Sequence, residues 1–362
     1  MIYQPQRVFV DKDALAFGYC EKILKTLHPL KPIILSSSEA LDAFVPSDIS
    51  LSKGKQFLHL KNFKADAFKL CPGFTKDILC CNYYVLDLIE NCPLECTYCI
   101  LQAFLNKSVI TFHVNVEELV ETMIATIKSR PQQPFRIGTG EHSDSLALDH
   151  IFQVNPYLVD VFSGLDNATL ELKTKTDLIG PLLGLDHRGK TVVSWSLNPS
   201  EIIRANELKT ASLEDRLKAA NRLEKDGYKI GFHFDPLIHY ENWERGYSRT
   251  IDLMLEAVQP ENIAWISLGT LRYIPSLKQI AEERFPRISI FSNEFVAAED
   301  GKMRYIKPLR KTMLLRVSKW IQEKAPNIPL YLCMEKHAIW KQMCNNYPQT
   351  PEELESYLNS NL

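Results

Sequence analysis

No stretch of the sequence approaches the roughly 18 consecutive apolar residues that a membrane-spanning helix needs, and residues 1–7 contain no basic stretch leading into an apolar run. Neither membrane insertion nor export is expected, and the chain is read as cytoplasmic. An excess of one charge is also lacking: 42 Lys and Arg against 44 Asp and Glu leave a net charge of -2. That excludes a surface that is basic all over, so nucleic acid would have to be met by a local patch. Internal repeats and low-complexity tracts are absent. A disulfide framework is missing too, because nine cysteines is an odd number and three of them fall within eight positions. That usage fits a reducing compartment and a metal site. What is there, 45% hydrophobic and 24% charged residues in a chain of 362, is the make-up of one large globular domain or two average ones.

From residue 84 onward, short apolar runs alternate with helical patterns, the signature of β/α units around a parallel sheet. Six strands are predicted, at 84–89, 135–139, 169–173, 191–196, 228–234 and 263–268. Between the first two, Val116, Leu119, Val120, Met123, Ile124 and Ile127 recur at helical spacing, with Asn115 as N-cap and Glu118 completing a capping box. Similar periodicity marks 213–223 and 247–258. Periodicity leaves a doubly wound sheet and a whole or partial barrel both open, and either one gathers function at the C-terminal ends of its strands. Residues 1–83 read as an N-terminal α/β extension, with a helix at 14–27 and a strand at 32–35. After 287 come two extended pieces around an acidic-glycine turn at 295–305, a helix at 309–323 and a strand at 329–334. The expected division is 1–83, 84–286 and 287–362.

The segment Asn91-Cys92-Pro93-Leu94-Glu95-Cys96-Thr97-Tyr98-Cys99 spaces its thiols four and then three residues apart, just after the first strand of the series. Thiolates suit iron-sulfur clusters or zinc, but a structural zinc site takes four protein ligands, and no fourth cysteine or histidine lies at the usual short spacing. Three ligands on a four-iron cluster leave one iron open. Cys20, Cys71, Cys80, Cys81 and Cys344 read as buried or incidental thiols.

The C-x-x-x-C-x-x-C pattern, with an aromatic before the third cysteine, resembles the hallmark of the radical S-adenosylmethionine superfamily. That resemblance implies a partial (β/α)6 TIM-like barrel, here with an N-terminal extension and a C-terminal hairpin and helix. It implies a 4Fe-4S cluster on Cys92, Cys96 and Cys99, and S-adenosyl-L-methionine cleaved reductively to a 5'-deoxyadenosyl radical, with Tyr98 against the adenine. Further segments are similar to the spore photoproduct lyase family: Cys99-Ile100-Leu101-Gln102, Ser143-Asp144, Lys173-Thr174-Lys175, Ser194-Trp195-Ser196 and Trp243-Glu244-Arg245-Gly246-Tyr247. By this likeness Gly140, Ser143, Lys175, Ser194 and Ser196 contact the cofactor. The chain would be a carbon-carbon lyase of DNA repair, cleaving a thymine-dimer-type lesion, with lesion-bearing DNA and an electron donor such as flavodoxin or ferredoxin as partners.

Residues 301–316 carry Lys302, Arg304, Lys307, Arg310, Lys311 and Arg316 with no acidic residue, and Tyr305 is interleaved. Basic side chains neutralise phosphates and an aromatic stacks on bases, so Lys302 is read as a phosphate contact; by resemblance Arg304 and Tyr305 belong to a DNA-binding hairpin. In the family a cysteine on the second strand's loop donates the hydrogen that quenches the product radical, relayed by a tyrosine after the third cluster cysteine. Here those positions hold Glu141 and Ile100. A carboxylate supplies no weakly bound hydrogen atom, so Cys333, at the end of a predicted strand, and Tyr98 are the candidate donors. His233, Asp235 and His239, at the fifth strand's end, read equally as pocket lining or as satisfied core groups. Two other readings stay open: a radical enzyme of this fold acting on another nucleic-acid adduct, a protein or a small molecule, and a non-catalytic metal-binding protein.

Overall fold

The computed structural model describes residues 2–46, 48–73, 78–343 and 347–360; Cys344 lies outside them. Eight strands form the main sheet: β1 (Phe68–Leu70), β2 (Tyr83–Leu86), β3 (Phe135–Gly138), β4 (Ala168–Thr174), β5 (Thr191–Ser196), β6 (Lys229–Leu237), β7 (Ile263–Thr270) and β8 (Leu330–Leu332). Their spatial order follows the chain from β1 to β8. Strands β2 to β8 are parallel and β1 runs antiparallel to β2. Parallel neighbours need crossovers, and crossovers of one hand put their helices on one face. The helices Val116–Lys128, Asn155–Ser163, Leu213–Lys225, Trp243–Ala257 and Lys307–Lys324 provide five of the six, and the crossover from β4 to β5 has only the 3-10 turn Gly180–Leu182. The sheet curls around its other face into the expected partial barrel.

All six expected strands are present, and the strand expected at 329–334 joins them as β8, paired with β7. The first is shorter than its apolar run, because Ile89–Glu90 turns away to pair with Ile110–His113 in a second sheet. That sheet also contains Arg7–Asp11, Ile33–Leu35 and Phe57–Lys61 in parallel. Arg7–Asp11 and Phe57–Lys61 were hidden in the sequence, since five residues buried at nearly every position leave no alternation to read. The N-terminal helix begins at Gly18, after a 3-10 turn over Lys12–Ala16. Asn115 precedes its helix but caps nothing: its side chain is drawn to the backbone of Phe63, with Oδ1 accepting at 3.0 Å and Nδ2 donating at 2.9 Å.

One continuous apolar core runs from Val8, Leu60 and Phe112 of the smaller sheet to Trp265 of the larger and Leu314 of the helix Lys307–Lys324. The segment 87–113 therefore leaves the barrel, adds two strands to the second sheet and returns, fixing the cysteine loop between two packed units.

Candidate active site at the C-terminal ends of the strands

The cysteine loop is held at both ends. Asn91, with a φ of 72° that asparagine tolerates better than most residues, donates from Nδ2 to Ser108 O at 2.7 Å and accepts the Cys92 N–H at 2.8 Å. Further on, Glu95–Cys96 pairs antiparallel with Glu207–Leu208, and the Thr97 side chain and backbone both bond to Asn206. Gln102 Nε2 reaches back to the carbonyls of Cys96 and Thr97 at 3.1 and 2.9 Å, while its Oε1 accepts from Arg284. Three thiols are thus fixed at the mouth of the barrel, Cys92 and Cys96 buried and Cys99 half-buried. Burial raises Cys92 to about 12 and lifts Cys96 as well, while nearby Lys175 works the other way at Cys96. Iron binding would remove the same protons.

Tyr98 sits on this loop with its hydroxyl donated to Glu207. Glu207 is fully buried, bonded also by Asn198 Nδ2 at 2.9 Å and paired with Arg216 Nη2 at 2.6 Å. Burial alone would raise its carboxyl, but Arg216 and Lys175 hold it down at about 2. The charge behind Tyr98 raises the phenol well above its usual range, after burial as the main cause. Sequence reasoning missed Glu207, which stands between Arg204 and Lys209 in an ordinarily charged stretch and carries no local signal.

The expected cofactor residues divide. Ser143 is buried and its Oγ has no hydrogen-bond partner, an orphaned donor that a bound ligand would satisfy. Lys175, on the loop after β4, pairs with no carboxylate among the described residues, and its own N–H is fixed by Asp144 Oδ2 at 2.7 Å. Gly140 lies where a Cβ would stand 3.3 Å from Ser145 Oγ and 3.4 Å from Lys173 Cβ, so the backbone passes tightly there. Ser196 faces the same mouth, and no described group bonds its hydroxyl. Ser194 is committed elsewhere, donating to Glu171 Oε1 at 2.6 Å deep in the barrel. Gly138 serves the wall as well: a Cβ there would lie 1.7 Å from the Tyr83 hydroxyl.

Glu171 anchors that interior network. His233 Nε2 at 2.7 Å and Trp265 Nε1 at 3.0 Å join Ser194 on the same oxygen. With Nε2–H donating, His233 Nδ1 accepts from Ser267 at 2.5 Å, so both ring nitrogens are occupied. Burial and Lys173 push the imidazole down to about 4, leaving it neutral. His233 is a satisfied interior histidine. Asp235 is taken by a two-pronged bond from Arg272, at 2.9 Å on each side. Cys333, at the end of β8, lies against the same guanidinium with its sulfur 3.5 Å from Nη2, and burial raises its thiol.

The hairpin differs from expectation. It forms as Phe295–Ala297 and Met303–Tyr305, with Arg272–Tyr273 as a third strand. But Tyr305 is fully buried, stacked on Phe295 at 4.5 Å between centroids, with its oxygen accepting from His239 N. Arg304 is also buried and doubly bonded to Asp300 at 2.5 and 2.8 Å. The acid lies one residue before the basic stretch began. Lys302 alone of the three keeps a half-free ammonium, 3.8 Å from Asp300.

The sequence model of the spore photoproduct lyase family matches residues 3–327. The chain belongs to that family. It is 28% identical over 215 residues to the spore photoproduct lyase of Bacillus subtilis (strain 168), covering 58% of this chain and 63% of that protein. Against the enzyme of Geobacillus sp. (strain Y412MC61) it is 26% identical over 214 residues, with the same coverage. It thus spans about 63% of the length of the curated relatives it matches. A spore photoproduct lyase double mutant with bound AdoMet and dinucleoside spore photoproduct superposes with a TM-score of 0.81 at 24% identity, over 92% of this chain and 99% of the other. A second, complexed with dinucleoside spore photoproduct, gives 0.80 at 23% identity over the same shares. At these identities the likeness speaks for the fold. No helix among the described residues is long and apolar enough to cross a membrane.

Proposed function

We propose that this family member is a radical S-adenosyl-L-methionine lyase that cleaves a thymine-dimer-type lesion in DNA. One observation carries the reading: three fixed thiols, with no fourth protein ligand among the described residues, share the barrel mouth with the orphaned Ser143 hydroxyl and Lys175, which pairs with no described carboxylate. Such a donor set fits a four-iron cluster with one open iron and a bound amino acid. Cys92, Cys96 and Cys99 would hold the cluster, and Lys175 would pair with the methionine carboxylate while Ser143 and Ser196 donate to the cofactor. When bound, cluster and cofactor supply a 5'-deoxyadenosyl radical.

The chain's own groups do the rest. Glu207 orients Tyr98 by its hydroxyl, leaving the ring for adenine contact, and the barrel wall around Glu171 keeps the interior fixed. The substrate enters at the mouth, where Lys302 is the cation available to a phosphate. A low-potential electron carrier of the flavodoxin or ferredoxin kind, in the cytoplasm, would supply the electron that such a cluster needs. Cys333 is the hydrogen donor in this reading, since Glu141 supplies none and the Tyr98 hydroxyl is engaged by Glu207. The proposed organisation is an N-terminal unit over 1–83, a catalytic barrel over 84–286 and a closing segment over 287–362, bound together by the shared core.

The test is anaerobic product analysis with reduced protein, S-adenosyl-L-methionine and an oligonucleotide containing the spore photoproduct. Restored thymines and 5'-deoxyadenosine are expected, together with loss of both iron and cofactor cleavage in Cys92→Ala, Cys96→Ala and Cys99→Ala. Cleavage persisting in all three variants would sink the assignment. Glu141→Cys should raise the yield of repaired thymine and Cys333→Ala should lower it. The substitution at Glu141 favours one alternative, a relative acting on a different adduct, and absence of repair even in Glu141→Cys would select it.

A further inference from the structure

Glu141 is surrounded by groups that the lyase reading does not use. Asp87 follows β2, Glu141 and His142 follow β3, and Lys69 projects from β1, so three adjacent strands bring them together at the end of the sheet where active-site groups gather. One donor atom each from Asp87, Glu141 and His142 lie within 4.8 Å of one another. Three ligand atoms held about 2.1 Å from one ion stand roughly 3.0–3.6 Å apart, so closing on an ion draws each of them inward by up to about an ångström.

The carboxylate at the centre is unusual. Asp87 is 6% exposed and its Oδ1 accepts no hydrogen bond, although it points to His142 Nδ1 3.4 Å away. Glu141 Oε2 is likewise buried and without a hydrogen bond. The backbone of Asp87 is fixed by Ala67 O on one side and by His113 Nδ1 on the other, at 2.9 and 3.0 Å, so the carboxylate is already oriented.

Lys69 is the cation present, 2.7 Å from Asp87 Oδ2 and 3.6 Å from Glu141 Oε2. Its side chain is 42% exposed, whereas that of Asp87 is 8% exposed. The ammonium can therefore move into water, but the carboxylate cannot. A cavity of about 580 Å³ lined by Lys69, Asp87 and His142, together with His59 and His113, gives an ion and its waters a way in.

We propose that Asp87, Glu141 and His142 form a divalent-cation site, separate from the cysteine loop, with Lys69 as its built-in competitor. Two carboxylate oxygens and one imidazole nitrogen suit manganese, ferrous iron or zinc and leave positions open to water or a substrate oxygen. The residue that replaces the family's cysteine thus acquires a role as a ligand.

The experiment uses the anaerobic protein with its four-iron cluster reconstituted, titrated with Mn²⁺ and followed by loss of the free Mn²⁺ electron paramagnetic resonance signal, with Zn²⁺ as competitor. One Mn²⁺ per chain is expected. Glu141→Gln and His142→Ala should each weaken binding at least about tenfold, and Lys69→Met should tighten it, with circular dichroism and cluster absorbance unchanged. Retained affinity in both ligand variants would overturn the proposal. So would failure of Mn²⁺ and Zn²⁺ to bind at millimolar concentration to both the wild type and Lys69→Met, a variant in which the competitor is gone. Neither result uses the lyase reaction, so this outcome is separable from that of the proposed function.

Discussion

Glu207 sets burial against pairing at a single carboxylate. Its folded value of about 2 lies below the ordinary 4.5, so the stability it contributes is fully present above about 4.5 and is lost as pH falls through about 2. Glu207→Gln should flatten the acid limb of the stability profile between pH 5 and 2. At neutral pH it should lower stability by about 3–5 kcal/mol, because Arg216 is left buried and uncompensated. Urea denaturation across that pH range measures both, and an unchanged acid limb would show that the pair does not control it. Arg304 and Lys302 separate in the same way. Lys302→Glu should weaken duplex binding and reduce the salt slope by about 1, while stability stays near wild type. Arg304→Glu instead sets a second acid against Asp300 and should lower the melting temperature. Equal loss of DNA affinity in both, with both folds intact, would restore Arg304 as a phosphate contact.

At the scale of elements, the C-terminal helix Pro351–Asn359 docks through Leu354 and Leu358, and it buries Glu355 beside them. Burial raises that carboxyl to about 7, against the opposing pull of Asn82 and Arg136. A raised folded value means that the charged form is penalised above about 7 and that the penalty fades as pH falls toward 4.5. Glu355→Gln should therefore raise the melting temperature at pH 8 and do little at pH 5. An equal effect at both pH values would mean that the gain is one of packing. The hairpin obeys the same logic of local pairing. Gly301, at a φ of 75°, turns the chain between Ala298 and Lys302, and Asp300 folds back on Arg304, so a stretch that is basic in sequence presents a largely neutral ribbon.

For the whole molecule, the shared core predicts one cooperative unit. Leu60 belongs to the smaller sheet but to the same cluster as Trp265 of the barrel. Leu60→Ala should cost about 2–5 kcal/mol and lower a single calorimetric transition, taking the cysteine loop with it. Two separated transitions, with the barrel melting as in wild type, would contradict that coupling. The crossing of segment 87–113 between the sheets is the structural reason to expect one transition, since the smaller sheet takes two of its five strands from chain that leaves the barrel and returns to it.

The sequence by itself determined the β/α series and the grouping of the three thiols. Long helical stripes such as 116–127 and strands bounded by turns are local signals, and the spacing of Cys92, Cys96 and Cys99 lies within one loop. Only the tertiary structure decided what each polar group faces. It took Ser194 and His233 into the Glu171 network, turned Asn115 away from its helix, buried Tyr305, and gave Tyr98 a carboxylate partner 109 positions away. It also brought Asp87 to Glu141 and His142, from loops after neighbouring strands. The physical reason is that an apolar residue gains from burial against almost any apolar neighbour, so its pattern suffices. A buried polar group gains only from a specific partner at a specific distance, and that partner is chosen by the packing of the whole chain.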